Sequence, residues 1–299
     1  MEKIKNKLVV ILGPTASGKT KLAIKLAKKF KGEIISADSR QVYKGMDIGT
    51  GKINKKEMQG IPHYLLNVAS PKKKFTVAQY RKLALMVIEK IQQKNKIPIL
   101  CGGTGFYIQA VVDGIIIPEV PPDWKLRKKL EKKSAKELYQ TLKKLDLKRA
   151  KTIEKENPRR LIRAIEIVLK TKKPVPPLIK KPLPYHVLMI GIKKEKKELN
   201  KLIEKRFFKW LKRGLVKEVK NLRKMGISFE KIEDFGMHYR VVAQYLQGKI
   251  NHQEMIENSI REIKKYAKRQ TGWFKKEKRI KWVKKYGDAE RLVKDYLKK

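Results

Sequence analysis

The eight residues Gly13-Pro14-Thr15-Ala16-Ser17-Gly18-Lys19-Thr20 restrict this chain more than any other part of it. They match the pattern GxxxxGK[ST] at every fixed position. An apolar run, LVVIL (8–12), precedes them, and KLAIKLAKKF (21–30) follows with Leu22, Ile24, Leu26 and Ala27 at helical spacing. Strand, glycine-rich turn and helix in that order form a phosphate-binding loop. Its glycines let backbone N–H groups turn toward phosphate oxygens, and the helix N-terminus adds a favourable dipole. Lys19 brings a cation to the phosphates, and the Thr20 hydroxyl is placed for Mg²⁺. The loop asks for a diphosphate or a triphosphate without saying what becomes of it.

The rhythm of the first hundred residues extends this start into a fold. EIISAD (33–38) reads as a second strand, the stretch from Val77 to Gln93 as a helix, and IPILCGG (97–103) as a third buried strand. Short continuous apolar runs alternating with helical spacing predict an α/β architecture, a P-loop NTPase-like doubly wound parallel sheet. Two proline clusters, IPEVPPDW (117–124) and KKPVPPLIKKPLPY (172–185), then bracket helix-spaced leucines at 126, 130, 138, 142 and 145. A second helical pattern runs through Leu161, Ile162, Ile165, Val168 and Leu169. Stiff connections at both ends predict an inserted helical domain. HVLMIGI (186–192) returns to the strand pattern. Helices are expected around Leu202–Leu222, around Val241–Leu246 and from Asn251, where Glu254 completes a capping-box spacing. RIKWV (279–283) closes the series as a candidate last strand.

Charge points to a partner without proving one. The 299 residues carry 76 Lys plus Arg against 29 Asp plus Glu, a net charge of +47. Such a field attracts polyanions, nucleic acid first among them, although lysines spread along the whole chain also suit a generally basic surface. Cys101 is the only cysteine, which excludes an internal disulfide and a multi-cysteine metal site. It reads as a small core residue. His63, His186, His238 and His252 lack metal-ligand spacing, and Trp124, Trp210, Trp273 and Trp282 read as packing residues. No apolar run approaches the roughly 18 residues of a membrane span, and MEKIKNKLVVILG does not read as a signal peptide. A cytoplasmic protein without a membrane partner is expected.

Asp38, at the end of the second strand, and Thr104, at the end of the third, are aimed at the crevice of the phosphate loop, because ligands of open α/β sheets bind beyond the strands' carboxyl ends. A carboxylate there can take a proton from an amine while a threonine hydroxyl orients it. The pattern alone leaves Asp38 equally open as a Mg²⁺-organising carboxylate or a helix cap. Arg159, Arg160 and Arg163 share a helix face by their spacing of three and four. Guanidinium groups so arranged suit RNA, although the commoner fate of such a run is a solvated basic face.

Taken together, GPTASGKT, SADSRQVYKGMDIGTGK (36–52), GIPHYLL (60–66) and GGTGFYIQA (102–110) resemble bacterial tRNA dimethylallyltransferases. NPRRLIRAIEIV (157–168), RFFKWLKRGLVKEVKNL (206–222) and YAKRQTGWF (266–274) continue the resemblance in order over nearly the whole chain. It implies transfer of a dimethylallyl group from dimethylallyl diphosphate to N6 of adenine 37 of tRNA, with Mg²⁺ as cofactor. It further implies Asp38 as general base, Thr104 on the same amino group and Arg206 on the diphosphate. The implied tRNA contacts fall at Asp38, Ser39, Arg40 and Gln41, at Thr104, and at Arg159, Arg160, Leu161, Ile162 and Arg163. The implied division is a core of 1–118 and 185–299, with 119–184 gripping the anticodon arm, in a monomeric enzyme. Arg40 stands where the family usually has an apolar residue, DFGMHYRVV (234–242) replaces a usual glycine-tyrosine pattern, and Gly272 replaces a usual threonine. A P-loop small-molecule or nucleoside kinase is the alternative, and a non-catalytic RNA-binding module a third reading.

Overall fold

The apolar run LVVIL lies in the middle of the molecule. Its strand, β1 (Lys7–Leu12), is buried along its whole length. The period-two alternation of a strand sends Leu8, Val10 and Leu12 into one core cluster and Val9 and Ile11 into another. A strand buried on both faces needs a layer of helices on each, and that is what an unbroken apolar run reports. Each such side chain contributes about 1.5–3 kcal/mol of burial. The computed structural model describes residues 6–298 except 116, 117, 119, 178, 182 and 183, so parts of both proline clusters lie outside the described residues.

After β1 come α1 (Lys19–Lys29), β2 (Gly32–Ala37), α2 (Lys55–Met58), β3 (His63–Tyr64), α3 (Val77–Gln93), β4 (Ile97–Gly102) and α4 (Gly105–Val112). The helices α5 (Trp124–Leu130), α6 (Ala135–Leu145), α7 (Leu147–Thr152) and α8 (Pro158–Thr171) follow. The chain then runs through β5 (His186–Ile192), α9 (Lys196–Lys212), α10 (Leu215–Lys224), α11 (Phe229–Asp234) and α12 (Met237–Leu246). It closes with α13 (His252–Lys275), β6 (Ile280–Val283) and α14 (Tyr286–Lys298). All six strands are parallel in the order β3-β2-β4-β1-β5-β6. From β1 the chain moves out to β2, and from β4 it crosses β1 to reach β5. The winding therefore reverses between β4 and β1, where an α/β sheet opens a crevice at its carboxyl edge. The expected doubly wound parallel sheet is present.

Several elements differ from the sequence expectation. The helix expected over Leu202–Leu222 is two, α9 and α10, parted at Gly214, whose φ of 95° no helix interior holds. The one over Val241–Leu246 begins earlier, at Met237. β3 is only two residues long and exists by pairing with Ile34 and Ile35 of β2, so it has no periodicity to read. The short helices α7 and α11 and the terminal α14 were not expected either. The Asn251 capping box is formed as its spacing predicts, Asn251 Oδ1 accepting the Glu254 N–H at 2.9 Å.

The chain divides into two compact units, one Met1–Gly114 with Pro182–Lys299 and the other Ile115–Lys181. The second has its own core of Leu130, Leu138, Leu142, Leu161, Ile162 and Ile165. Ile115 and Lys180 pair where the chain enters and leaves it. Asp146 caps α7 through Oδ1 and takes the Val175 N–H on Oδ2 at 2.8 Å, fastening the second proline cluster to the helices. Among the described residues no helix is long and apolar enough to cross a membrane.

Candidate active site

A cavity of about 590 Å³ opens beyond the carboxyl ends of β1 and β2, and Thr15, Ala16, Gly18, Lys19 and Thr20 line it. The loop is wound tightly on itself. Ser17 N–H donates to the Pro14 carbonyl at 3.2 Å, and Lys19 Nζ donates to the same oxygen at 3.1 Å. Ala16 holds a φ of 63°, a conformation costly for a residue with a Cβ and characteristic of functional turns. Ser17 Oγ is buried without a hydrogen-bond partner among the described residues.

Arg206 reaches the loop from α9. Its Nη1 donates to Thr15 Oγ1 at 3.3 Å, and its guanidinium lies over the Trp210 ring at 4.7 Å. Gly51 makes this approach possible, since a Cβ there would stand 1.7 Å from Arg206 Nη2. Burial lowers the pKa of Lys19 and of Arg206 alike, Arg206 pushes Lys19 further in that direction, and Asp38 opposes the shift in both. Two desolvated cations beside one loop are costly unless an anion joins them. The site is therefore built for a polyanionic ligand.

Asp38 and Thr104 meet because β2 and β4 are neighbours, with Ala37 opposite Gly102. Asp38 lines the cavity. Its Oδ1 accepts the N–H groups of Arg40 at 2.8 Å and Gln41 at 3.3 Å, a side-chain turn rather than the helix cap that the sequence left open. Oδ2 takes no hydrogen bond from the described residues. The Thr104 hydroxyl accepts the Ser39 N–H at 3.0 Å. Tyr266 of α13 lines the cavity; burial first, and Asp38 second, push its phenol up to about 12, so it stays a neutral hydroxyl.

Other residues marked from the sequence have internal duties. Gln41 accepts from Ser36 Oγ and donates to the Thr50 carbonyl, so both ends of its amide are used within the fold. Arg40 Nε donates to the Phe235 carbonyl at 2.9 Å, and its guanidinium faces the Phe235 ring. Two of the departures from the family pattern thus touch one another. The third, Gly272, has open space where a Cβ would stand.

The arginine face on α8 is corrected more sharply. Leu161 and Ile162 are core residues, so their side chains are not available to an RNA. Arg163 is bound to Glu166, which is fully buried and also takes a two-pronged contact from Arg127 at 2.8 and 2.6 Å. Burial pushes the Glu166 pKa up, but the Arg127 and Arg163 hydrogen bonds outweigh it and hold the carboxyl below its usual range. Removing Arg163 would leave the buried Glu166 carboxylate with Arg127 as its one cation. Arg160 is exposed and pairs with Glu154 at 3.1 Å.

Sequence reasoning missed the residues that hold this site together. Glu218, nearly buried on α10, accepts the N–H groups of Asp47, Ile48 and Gly49 at 2.7, 2.6 and 3.0 Å and the Tyr239 hydroxyl at 2.7 Å. Lys52 binds the Tyr43 carbonyl, Asp47 and Asn67. Together they fix the 43–52 loop whose Gly51 admits Arg206. His238, pushed down to about 3 by burial and then by Arg206, is a neutral ring packed on Trp210. Gln270 of α13 joins Thr15 to Gly103. No local spacing marks Glu218 or Gln270, whose loop partners lie at least 167 residues away.

The chain is similar to known proteins over nearly its whole length. Residues 41–277 match the family model described as IPP transferase. A tRNA dimethylallyltransferase of Acetivibrio thermocellus is 42% identical over 298 residues, with 96% of this chain and 95% of that protein covered. One of Halothermothrix orenii is 40% identical, with 97% and 93% covered. Among solved structures, the tRNA isopentenylpyrophosphate transferase of Bacillus halodurans superposes with a TM-score of 0.74 at 36% identity, over 98% of this chain and 97% of that one. A eukaryotic dimethylallyltransferase acting on tRNA gives 0.75 at 28% identity, over 90% and 70%.

Proposed function

This chain belongs to the IPP transferase family, and from that premise we propose that it is a tRNA dimethylallyltransferase, moving the dimethylallyl group of dimethylallyl diphosphate to N6 of adenine 37 beside the anticodon and releasing diphosphate. The observation that carries this reading is the pairing of two partly buried cations, Lys19 and Arg206, with the carboxylate of Asp38 in one cavity. A diphosphate leaving group needs the first, and an amine nucleophile needs the second.

The donor's phosphates lie against the start of α1, Lys19 and Arg206. The target adenine leaves its stack in the anticodon loop to bring N6 to the donor. N6 bonds to the allylic carbon as the carbon–oxygen bond breaks, and the electron pair departs with the diphosphate. Lys19, Arg206 and the loop N–H groups stabilise the charge that develops there. The amine's proton passes to Asp38, with Thr104 and Ser39 shaping the acceptor side. Surface pairs such as Arg160–Glu154 are worth at most about 1 kcal/mol, so that guanidinium can exchange its partner for an RNA phosphate. The unit Ile115–Lys181 is on this reading the grip on the anticodon arm, and a tRNA substrate makes the cytoplasm its place of work.

The residues fit Mg²⁺ carried on the substrate. Among the described residues no three His, Cys, Asp or Glu side chains gather to hold a metal. Mg²⁺ on phosphates, however, needs only one or two protein ligands, and Thr20, whose hydroxyl would hold it, lines the cavity. When bound it supplies charge neutralisation to the leaving diphosphate.

The relatives matched above are prenyl-transferring enzymes and give the kinase alternative no support. With tRNA, Mg²⁺ and dimethylallyl diphosphate and no nucleotide, the expected products are prenylated adenine and free diphosphate in equal amounts. A strict requirement for ATP hydrolysis overturns the reading. Donor capture also depends on pH in a definite sense. Burial lowers the Lys19 pKa from 10.5 in the free protein, and a bound diphosphate favours the protonated amine. kcat/KM for the donor should therefore be full at neutral pH and fall as pH rises, with a midpoint below that of an ordinary lysine. A flat profile up to the ordinary lysine range removes Lys19 from this role.

A further inference from the structure

We propose that Gln270 is a positioning residue that sets the distance between the donor's leaving group and the acceptor amine, a proposal that rests on the prenyl-transfer reading above. Its side chain sits on α13 and is 6% exposed. Oε1 accepts the Thr15 N–H at 2.8 Å, and Nε2 donates to the Gly103 carbonyl at 2.8 Å. One planar amide therefore spans the phosphate loop and the end of β4. The two sides lead to different chemistry. Thr15 carries Arg206 on its hydroxyl, so that side leads to the diphosphate charges. Gly103 precedes Thr104, which holds Ser39 next to Asp38, so the other side leads to the base.

A crosslink is needed at this place because the sheet no longer supplies one. The pairing of β1 with β4 ends at Leu12 and Gly102. Beyond it no backbone hydrogen bond joins the phosphate loop to the Gly103–Thr104 turn among the described residues. The bridge requires an acceptor and a donor on one side chain of fixed reach, which an amide supplies and a carboxylate or an alkyl group does not. Gly103 is shaped for it, since a Cβ there would stand 2.3 Å from Nε2. Displacement at an allylic carbon depends steeply on how the amine is placed, and a misplacement of about 1 Å can cost about 10²-fold.

The test is single-turnover prenyl transfer by wild type, Q270L, Q270E and G103A, with donor and tRNA dissociation constants and Tm measured alongside. Q270L removes both bonds, and Q270E keeps an acceptor for Thr15 but has no donor for Gly103. G103A displaces the amide without altering it. Each variant should slow transfer by about 10²-fold while both dissociation constants stay near wild type. A wild-type transfer rate in Q270L or Q270E overturns the proposal, as does a loss seen only in binding and Tm, which marks a structural residue. If Q270L does not fold, Q270E and G103A decide by the same criteria. Wild-type protein that makes no prenylated tRNA counts against the function itself, so the two failures are distinguishable.

Discussion

Alanine in place of Lys19 should all but remove prenyl transfer, lowering kcat/KM for dimethylallyl diphosphate by about 10³-fold while tRNA affinity stays unchanged. The ammonium is partly buried near Arg206 and hydrogen-bonds only the Pro14 carbonyl among the described residues. A cation partly shielded from water and so weakly compensated acts strongly on an anion brought against it, because less solvent screens the pair. Charge on the diphosphate grows as the allylic bond breaks, so the loss should appear in the single-turnover rate as well as in donor binding. A decrease below about tenfold, which is only about 1.4 kcal/mol, means that Lys19 does not stabilise the leaving group.

Asp38 is the second large effect, and the structure changes how it should be tested. Asp38→Ala should lower turnover by about 10² or more with tRNA affinity nearly unchanged. That variant also loses the acceptor for the Arg40 and Gln41 N–H groups, so it damages the turn as well as the proposed base. Asp38→Asn keeps an oxygen for those bonds and removes only the basicity. The two variants should fall together in kcat. Near wild-type turnover in Asp38→Asn would reduce the carboxylate to a turn-former and dismiss it as the base.

The same distinction explains how much was legible in the sequence. The phosphate loop could be read because every feature it needs is local: an apolar strand, glycines within eight residues, and a helix directly after. Asp38 and Thr104 could be read as neighbours because strand ends of a doubly wound sheet face one crevice. On α8, Arg159 and Arg160 are exposed as a surface face requires, whereas Arg163 is tied to a buried carboxylate. Arg163 becomes the partner of a buried carboxylate only when Glu166 packs beneath it, and Leu161 and Ile162 face the core of their own unit. Hydrophobic spacing could not separate α9 from α10 either, because the left-handed turn at Gly214 leaves apolar residues on both sides.

By itself, then, the sequence determined the elements whose physics is contained in a few consecutive residues: the buried run of β1, the loop from Gly13 to Thr20, and the Asn251–Glu254 cap. Tertiary structure alone decided what those elements hold between them. Glu218 meets the Asp47, Ile48 and Gly49 N–H groups across about 170 residues, Arg206 reaches Thr15 across 191, and Gln270 reaches Thr15 across 255. Such partners leave no spacing to read, because a hydrogen bond or ion pair depends on distance in space and the chain between its ends can take almost any length. The charges of the site were visible as residues, but their convergence, which turns Lys19 and Arg206 into a receptor for an anion, came only when residues of α9 and α13 joined the phosphate loop around one cavity.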